Sequence, residues 1–578
     1  MQLRNTQLLA LAAITVTGVA LMTQASNGIR ADTLVWTGAT NGHWDTTATD
    51  LNWNDSTSST NGVAYTDGSG VQFSGGATTT APVVGSGSGV SPASVDFASG
   101  AGSYSLTNFT GDTSGISGTS GLTLDTGYTG TVTLNSPDTY SGGTSLNGGT
   151  LLADSAAALG TGAISFNGGT LNNNTNATIN NSLVINTGDT GTIIVGGSSA
   201  TKYGSLGGDT ATATAPAATL TGGGTLNLVA YYVRNNVGGD WSAFTGTVNV
   251  TATDNNANLG FNGIDNALSA HNANGNRGFY LNNGTLNLDG TSTDSLTFSF
   301  DNEQHDSTLN GVNAVIGALT GTQYSTISGF SYGGPPYHVL NYVIGGTNAS
   351  TTFAGALSGA TGSEANFYKI GSGSLTIQGG DSFAGSTEVN GGTLVLDGAV
   401  TNSTGITVDA TAVGVATAES DMRFAAGNGG TLAGNGTITA NITNNGTLSP
   451  GDPAVSMTGS LTVTGNVDNE GTMSINIGAA GASSLLAITG GLTLGANSVL
   501  NLTPLTGGFD GSSYTIATFT PGDLTGTFLT TTGLGTGYSV NYNNLAGTIT
   551  VAVPEPATVA LFAAAGVGLL LLRKRKTA

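Results

Sequence analysis

A turn followed by a short strand recurs along most of this chain, and a chain built that way has few folds open to it. The tripeptide Gly-Thr-Leu begins at Gly149, Gly169, Gly224, Gly284, Gly392, Gly430 and Gly446, with a Gly-Thr-Met variant at Gly471. Residues that tolerate positive φ stand before it, as in Asn147-Gly148-Gly149 and Asn167-Gly168-Gly169. After it the pattern alternates. Thr225-Leu226-Asn227-Leu228, Thr285-Leu286-Asn287-Leu288, Thr376-Ile377 and Thr393-Leu394-Val395-Leu396 put Leu or Ile on one face and Thr, Asn or Val on the other. A single unit has nothing to cover its apolar face. Stacking units at about 4.8 Å gives each one a partner and makes a continuous core.

The pattern predicts an all-β chain folded as a right-handed parallel β-helix. At about 20 to 25 residues per coil it would have on the order of 16 to 20 coils and a length of about 80 to 100 Å. Repeated antiparallel hairpins on the same Asn-Gly turns are the alternative. The expected division is an N-terminal cap and first strands over 32–100, the repeat region over 101–480, and a closing β cap over 481–552 that includes Tyr514–Ala517 and Thr548–Val551.

Composition says what such a rod can meet. Charged residues are 8% of the chain, Gly accounts for 94 of 578 residues, and there is no Cys, so disulfides do not hold it together. A hydrophobic content of 38%, arranged with alternation, is too high for a disordered linker. Of the 11 basic residues only Lys202, Arg234, Arg277, Lys369 and Arg423 lie away from the two ends, and the formal net charge is −22. That balance argues against nucleic acid, whose phosphates require Lys and Arg. Divalent cations, Ca²⁺ among them, and neutral polysaccharides are easier partners.

Both ends carry addresses. Arg4, the apolar stretch Leu8–Met22 and the small residues around Ala25 and Ala31 read as a secretory signal peptide over 1–31, with cleavage open between the two alanines. At the other end Val553-Pro554-Glu555-Pro556 breaks any regular element, Ala557–Leu572 is an uninterrupted apolar run, and Arg573-Lys574-Arg575-Lys576 closes it. As a helix, 557–572 would span about 24 Å, a short transmembrane segment, with the basic cluster kept on the cytoplasmic side. This order over 553–578 resembles the PEP-CTERM sorting signals of Gram-negative bacteria. The resemblance implies export through the inner membrane, recognition by an exosortase-type membrane protease, transient anchoring, and delivery to the cell surface or exopolysaccharide matrix.

A second resemblance lies in the body. Thr139-Tyr140-Ser141-Gly142-Gly143-Thr144 followed by Asn147–Leu152, and Lys369–Ile377 followed by Phe383-Ala384-Gly385-Ser386-Thr387 and Asn390–Leu396, are similar to the autotransporter-associated β-strand repeat of bacterial surface passengers. The two copies are placed near 139–171 and 369–396. Autotransporters end in a membrane β-barrel. After residue 480 the sequence reads instead as a few closing strands, and the sorting tail is expected to stand in for the barrel.

Candidate sites are few. Trp36, Trp44 and Trp53 cluster near the start, with His43 and Asp45 beside the second, and Trp241 lies near Tyr231, Tyr232, Arg234 and Asp240. Two readings stay open: a structural one, a hydrophobic cap over an open coil for the first three and packing with turn structure for Trp241, or a platform on which sugar rings stack. For catalysis a β-helical lyase needs a basic residue among carboxylates, and a glycosidase needs two facing carboxylates. Arg234, Arg277 and Lys369 sit in Gly/Asn-rich turns with no such cluster at short spacing. Asp301–Asp306 reads as a solvated loop, Asp254–Asn258 lacks the Gly and closing Glu of a calcium loop, and His43, His271, His305 and His338 are scattered. The expectation is a non-catalytic surface or matrix protein for adhesion, biofilm or envelope structure, with no catalytic residues and no fixed metal. A secreted polysaccharide lyase or hydrolase is the alternative.

Overall fold

The computed structural model describes residues 33–553 apart from 111, 113–114, 156, 175–177, 196–204, 207–218, 231–235, 238–240, 254–277, 301–311, 331–338, 359–363, 384, 402, 404, 409–429, 452–457 and 512. The expected signal peptide and the tail from Pro554 onward, with its transmembrane helix over 557–572, lie outside the described residues. Among those described, no helix is long and apolar enough to cross a membrane.

The alternation read from the sequence becomes alternation of burial. Thr131–Leu134, Thr150–Ala153, Thr170–Asn173 and Thr225–Ala230 each turn every second side chain into the interior. Leu and Val fill most of the inward positions, with Ala153, Asn173 and Ala230 at the others, while Thr, Asn172, Asn227, Leu152 and Val229 stand half exposed outside. Consecutive units lie on one another in register and in parallel: Leu151 sits between Val132 and Leu171, and Leu226 lies beside Val248. One parallel ladder runs from His43–Trp44 through these strands to Thr530–Thr532. A second face stacks Thr33–Trp36 with Gly70–Phe73, Ser94–Phe97, Gly121–Leu124, Thr144–Leu146, Ile164–Phe166, Leu183–Ile185 and Leu220–Gly222. The third face is built of shorter pieces. It includes Thr178–Ile179 with Ser205–Leu206 and, later, Leu296–Phe300 with Ser325–Phe330 and Ala356–Ser358.

This is a parallel solenoid of the β-helix kind, and its interior is one apolar core running from Leu34 to Val551. Among the described residues, antiparallel pairing is confined to the two ends and to two isolated bridges, Gly434 with Gly451 and Ile477 with Ser483. Thr33–Trp36, Trp53–Asp55 and Thr60–Val63 form an antiparallel sheet at the start. Ser513–Thr518, Thr548–Ala552 and Ser539–Asn543 form one at the finish. The hairpin alternative thus describes the ends and not the body, because a half-buried strand gains a full apolar partner only from the coil above or below it.

Coil length varies more than the sequence period implies. Leu171 follows Leu151 on the ladder, but Leu288 is the next inward residue stacked on Val250. The stacked strands nevertheless keep register, Thr247–Val250 lying on Thr285–Leu288. Polar side chains that stack outward also pair along the axis. Asn249 Nδ2 donates to Asn227 Oδ1 at 3.0 Å and Asn287 Nδ2 to Asn249 Oδ1 at 3.1 Å. A second such ladder joins Asn366, Asn341 and Asn313.

Candidate functional site

The two repeat copies occupy equivalent places in their coils. Asp138 and Asp381 each donate their backbone N–H to the next coil, to Ala157 and Ala399, and the following residues each donate to the previous coil, to Ile116 and Leu357. Two positions on, the rings of Tyr140 and Phe383 are buried. Gly142 and Gly385 have no room for a side chain: a Cβ there would lie 2.6 Å from the Ser120 carbonyl oxygen and 2.3 Å from that of Ala365. Thr144 and Thr387 then open buried strand positions, with Tyr140 Oη 2.8 Å from Thr144 Oγ1.

Both aspartates are buried in this corner, a feature the sequence reading passed over. Asp138 Oδ1 accepts from Ile116 N at 2.7 Å and from Ser136 Oγ at 3.1 Å, and Asp381 Oδ1 accepts from Phe383 N at 2.9 Å. Burial pushes Asp138 up to about 7 and Asp381 up to about 6. Their shared place, two residues before Tyr140 and Phe383 in Asp-Thr-Tyr-Ser-Gly-Gly-Thr and Asp-Ser-Phe-Ala-Gly-Ser-Thr, was the available signal.

Lys369 does not lie free in a turn. It is buried, and its Nζ donates to the carbonyl oxygens of Ile370, Gly371 and Gly391, tying one coil to the next. Burial brings it down to about 8. All three donors of this ammonium are spent inside the fold. Arg234, Arg277, Arg423, Lys202, His271, His305, His338, Asp254–Asn258 and Asp301–Asp306 lie outside the described residues.

The tryptophans resolve the two readings of the N-terminal cluster. Trp36, Trp44 and Trp53 are 1%, 0% and 0% exposed, and Trp241 is 2% exposed. Trp36 and Trp53 meet edge to face at 4.9 Å, Trp44 and Trp53 at 5.6 Å, and Trp44 and Phe73 at 5.5 Å. Trp241 packs edge-on against Phe279 at 5.6 Å. An indole enclosed in this way has no face to offer a sugar ring. The stacking-platform reading of Trp36, Trp44, Trp53 and Trp241 is therefore corrected: among the described residues no coil precedes the first, so the three N-terminal rings cover its core, while Trp241 is enclosed within the rod against Phe279.

The C-terminal end is closed by aromatic rings as well. Phe509, Tyr514 and Tyr538 stand with ring centres 4.9 to 5.9 Å apart, and Tyr538 Oη donates to Phe509 O at 2.9 Å. Thr548–Ala552 lies antiparallel between two neighbours, and the chain leaves it at Val553, which is 45% exposed. The sorting tail thus begins at the very end of the rod.

Comparison with known families decides both resemblances. Residues 552–576 match the PEP-CTERM protein-sorting motif. Residues 128–153 and 367–396 match the passenger-associated-transport repeat. The first repeat therefore starts before the expected boundary at 139 and ends before 171, because Tyr128 and Gly130, which pack on Gly149, belong to the same unit. No curated protein matches the chain. The sorting motif implies an exported protein of a Gram-negative bacterium, anchored at the membrane and processed by exosortase.

Proposed function

We propose that this chain is a non-catalytic rod of the cell surface or extracellular matrix, serving adhesion, biofilm or envelope structure, with exopolysaccharide or another envelope polymer as its partner. The observation that carries the reading is the junction at Val553, where a closed, continuous solenoid passes directly into a sorting motif. The body supplies length and an outer surface of Thr, Ser and Asn. The tail supplies the address.

The use of ionisable groups supports a non-catalytic role. Asp138, Asp381 and Lys369, the described acidic and basic side chains that burial shifts, face the interior and bond to the backbone of their own or adjacent coils. Groups committed in that way hold coils together and do not open onto a cleft. The test is fractionation of cells carrying the natural tail or Pro554→Ala/Pro556→Ala. Surface display that depends on the prolines is the expected result, and equal display of both forms would remove the sorting claim. Binding of the displayed rod to the host's own exopolysaccharide tests the partner.

A further inference from the structure

The N-terminal cap holds a cluster that neither the sorting motif nor the repeat accounts for. His43, Asp45 and Asp50 each bring one ligand atom to within 4.8 Å of the others. His43 Nδ1 already lies 3.6 Å from Asp50 Oδ2. Two donors on a tetrahedral zinc at bond lengths of about 2.1 Å stand about 3.4 Å apart, so this edge is close to the length a bound ion requires. Asp45 is 3% exposed and Asp50 is 8% exposed. No Lys or Arg occurs between Arg30 and Lys202, so among the described residues of the cap the histidine alone can answer two enclosed carboxylates.

The loop that presents these groups is fixed from several sides. Asn52, fully buried, accepts from Thr40 N and Asn41 N through Oδ1 and donates through Nδ2 to Asn41 Oδ1 and to the backbone oxygen of His43. Asn41 Oδ1 accepts from His43 N at 3.0 Å, and Asp45 Oδ1 accepts from Thr47 N at 2.9 Å. Asp50 N donates to Thr47 O at 3.0 Å, closing the turn between the two carboxylates. Phe109 packs edge-on against the imidazole at 5.8 Å, and Trp44, between His43 and Asp45, anchors the strand in the core. The supports hold the ligand-bearing segments in place without using the imidazole nitrogens.

We propose that His43, Asp45 and Asp50 form a divalent transition-metal site, zinc or manganese by its donor set, that ties the loop 43–50 to the first coil. One imidazole nitrogen with two carboxylates suits such ions, and water completes the coordination. Calcium, which the composition leaves open, requires six to eight oxygens and does not fit this set.

Full-length protein stripped with a chelator and equilibrated with zinc alone, then with manganese alone, tests the site by metal content after gel filtration. Wild-type protein retains one equivalent more than His43→Ala and Asp50→Asn, and X-ray absorption of the wild-type sample shows one imidazole nitrogen among oxygen ligands. Near-ultraviolet circular dichroism of the buried tryptophans reports whether each variant keeps its cap. Equal metal content in wild type and a folded variant overturns the proposal. So does an all-oxygen absorption spectrum, whichever way the variants fold.

Discussion

Burying a carboxyl away from any cation leaves a proton as its counter-charge, and the two repeat corners do this at Asp138 and Asp381. Their folded-state values, about 7 and about 6, lie above the unfolded value of 3.8. Between about pH 4 and 7 the folded chain therefore holds more protons than the unfolded one, and stability falls as pH rises through that window. Lys369 acts in the opposite sense. It titrates at about 8 when folded against 10.5 when unfolded, so its contribution rises with pH between those values. From about pH 10 the buried tyrosines, Tyr128 raised to about 12 and Tyr140 also raised, turn the slope down again. Taken together, these groups are expected to place a shallow minimum near pH 7 to 8. Thermal unfolding of wild type and Asp138→Asn from pH 4 to 10 checks this: the substitution should flatten the fall below pH 7 and leave the Lys369 limb intact. An unchanged slope in the variant would show that folding does not raise the Asp138 carboxyl above its unfolded value.

At the scale of the turn and strand, close approach decides which glycines matter. Gly149 has φ +59°, and a Cβ there would lie 2.3 Å from the Tyr128 ring and 2.7 Å from Gly130 O. Gly188 has φ +92° with nothing within 4 Å. Gly188→Ala should cost about 1 kcal/mol, from backbone strain alone, and Gly149→Ala at least about 2 kcal/mol more. Denaturant midpoints measure the difference, and equal costs would mean that the coils do not press together at this turn. Gly149 also shows what was legible beforehand. The Asn-Gly-Gly turn and the alternation after it could be read directly, because both are local. The third face could not, because pieces as short as Thr178–Ile179 carry no period. Nor could the cluster of His43, Asp45 and Asp50 be read as a unit, since spacings of two and seven in an irregular loop match no element. The tryptophans were visible as a group, but only the packing says which way they face.

A solenoid has two ends to protect, and here each end is closed by antiparallel strands and rings. Trp53 pairs through its strand with Trp36 and touches Trp36, Trp44, Tyr65 and Phe73. Trp53→Ala should cost roughly 3 to 5 kcal/mol and expose the first coil as a sheet edge. Analytical ultracentrifugation should then show concentration-dependent association that wild type lacks, and a monodisperse variant of unchanged midpoint would argue against the capping role. At the opposite end the last strand delivers the chain to the sorting motif, which makes the rod and its address one continuous object. Mass spectrometry of C-terminal peptides from the surface fraction tests this most directly. The account predicts a terminus near Pro556, with Arg573–Lys576 removed, and surface protein that still carries those four residues would contradict it.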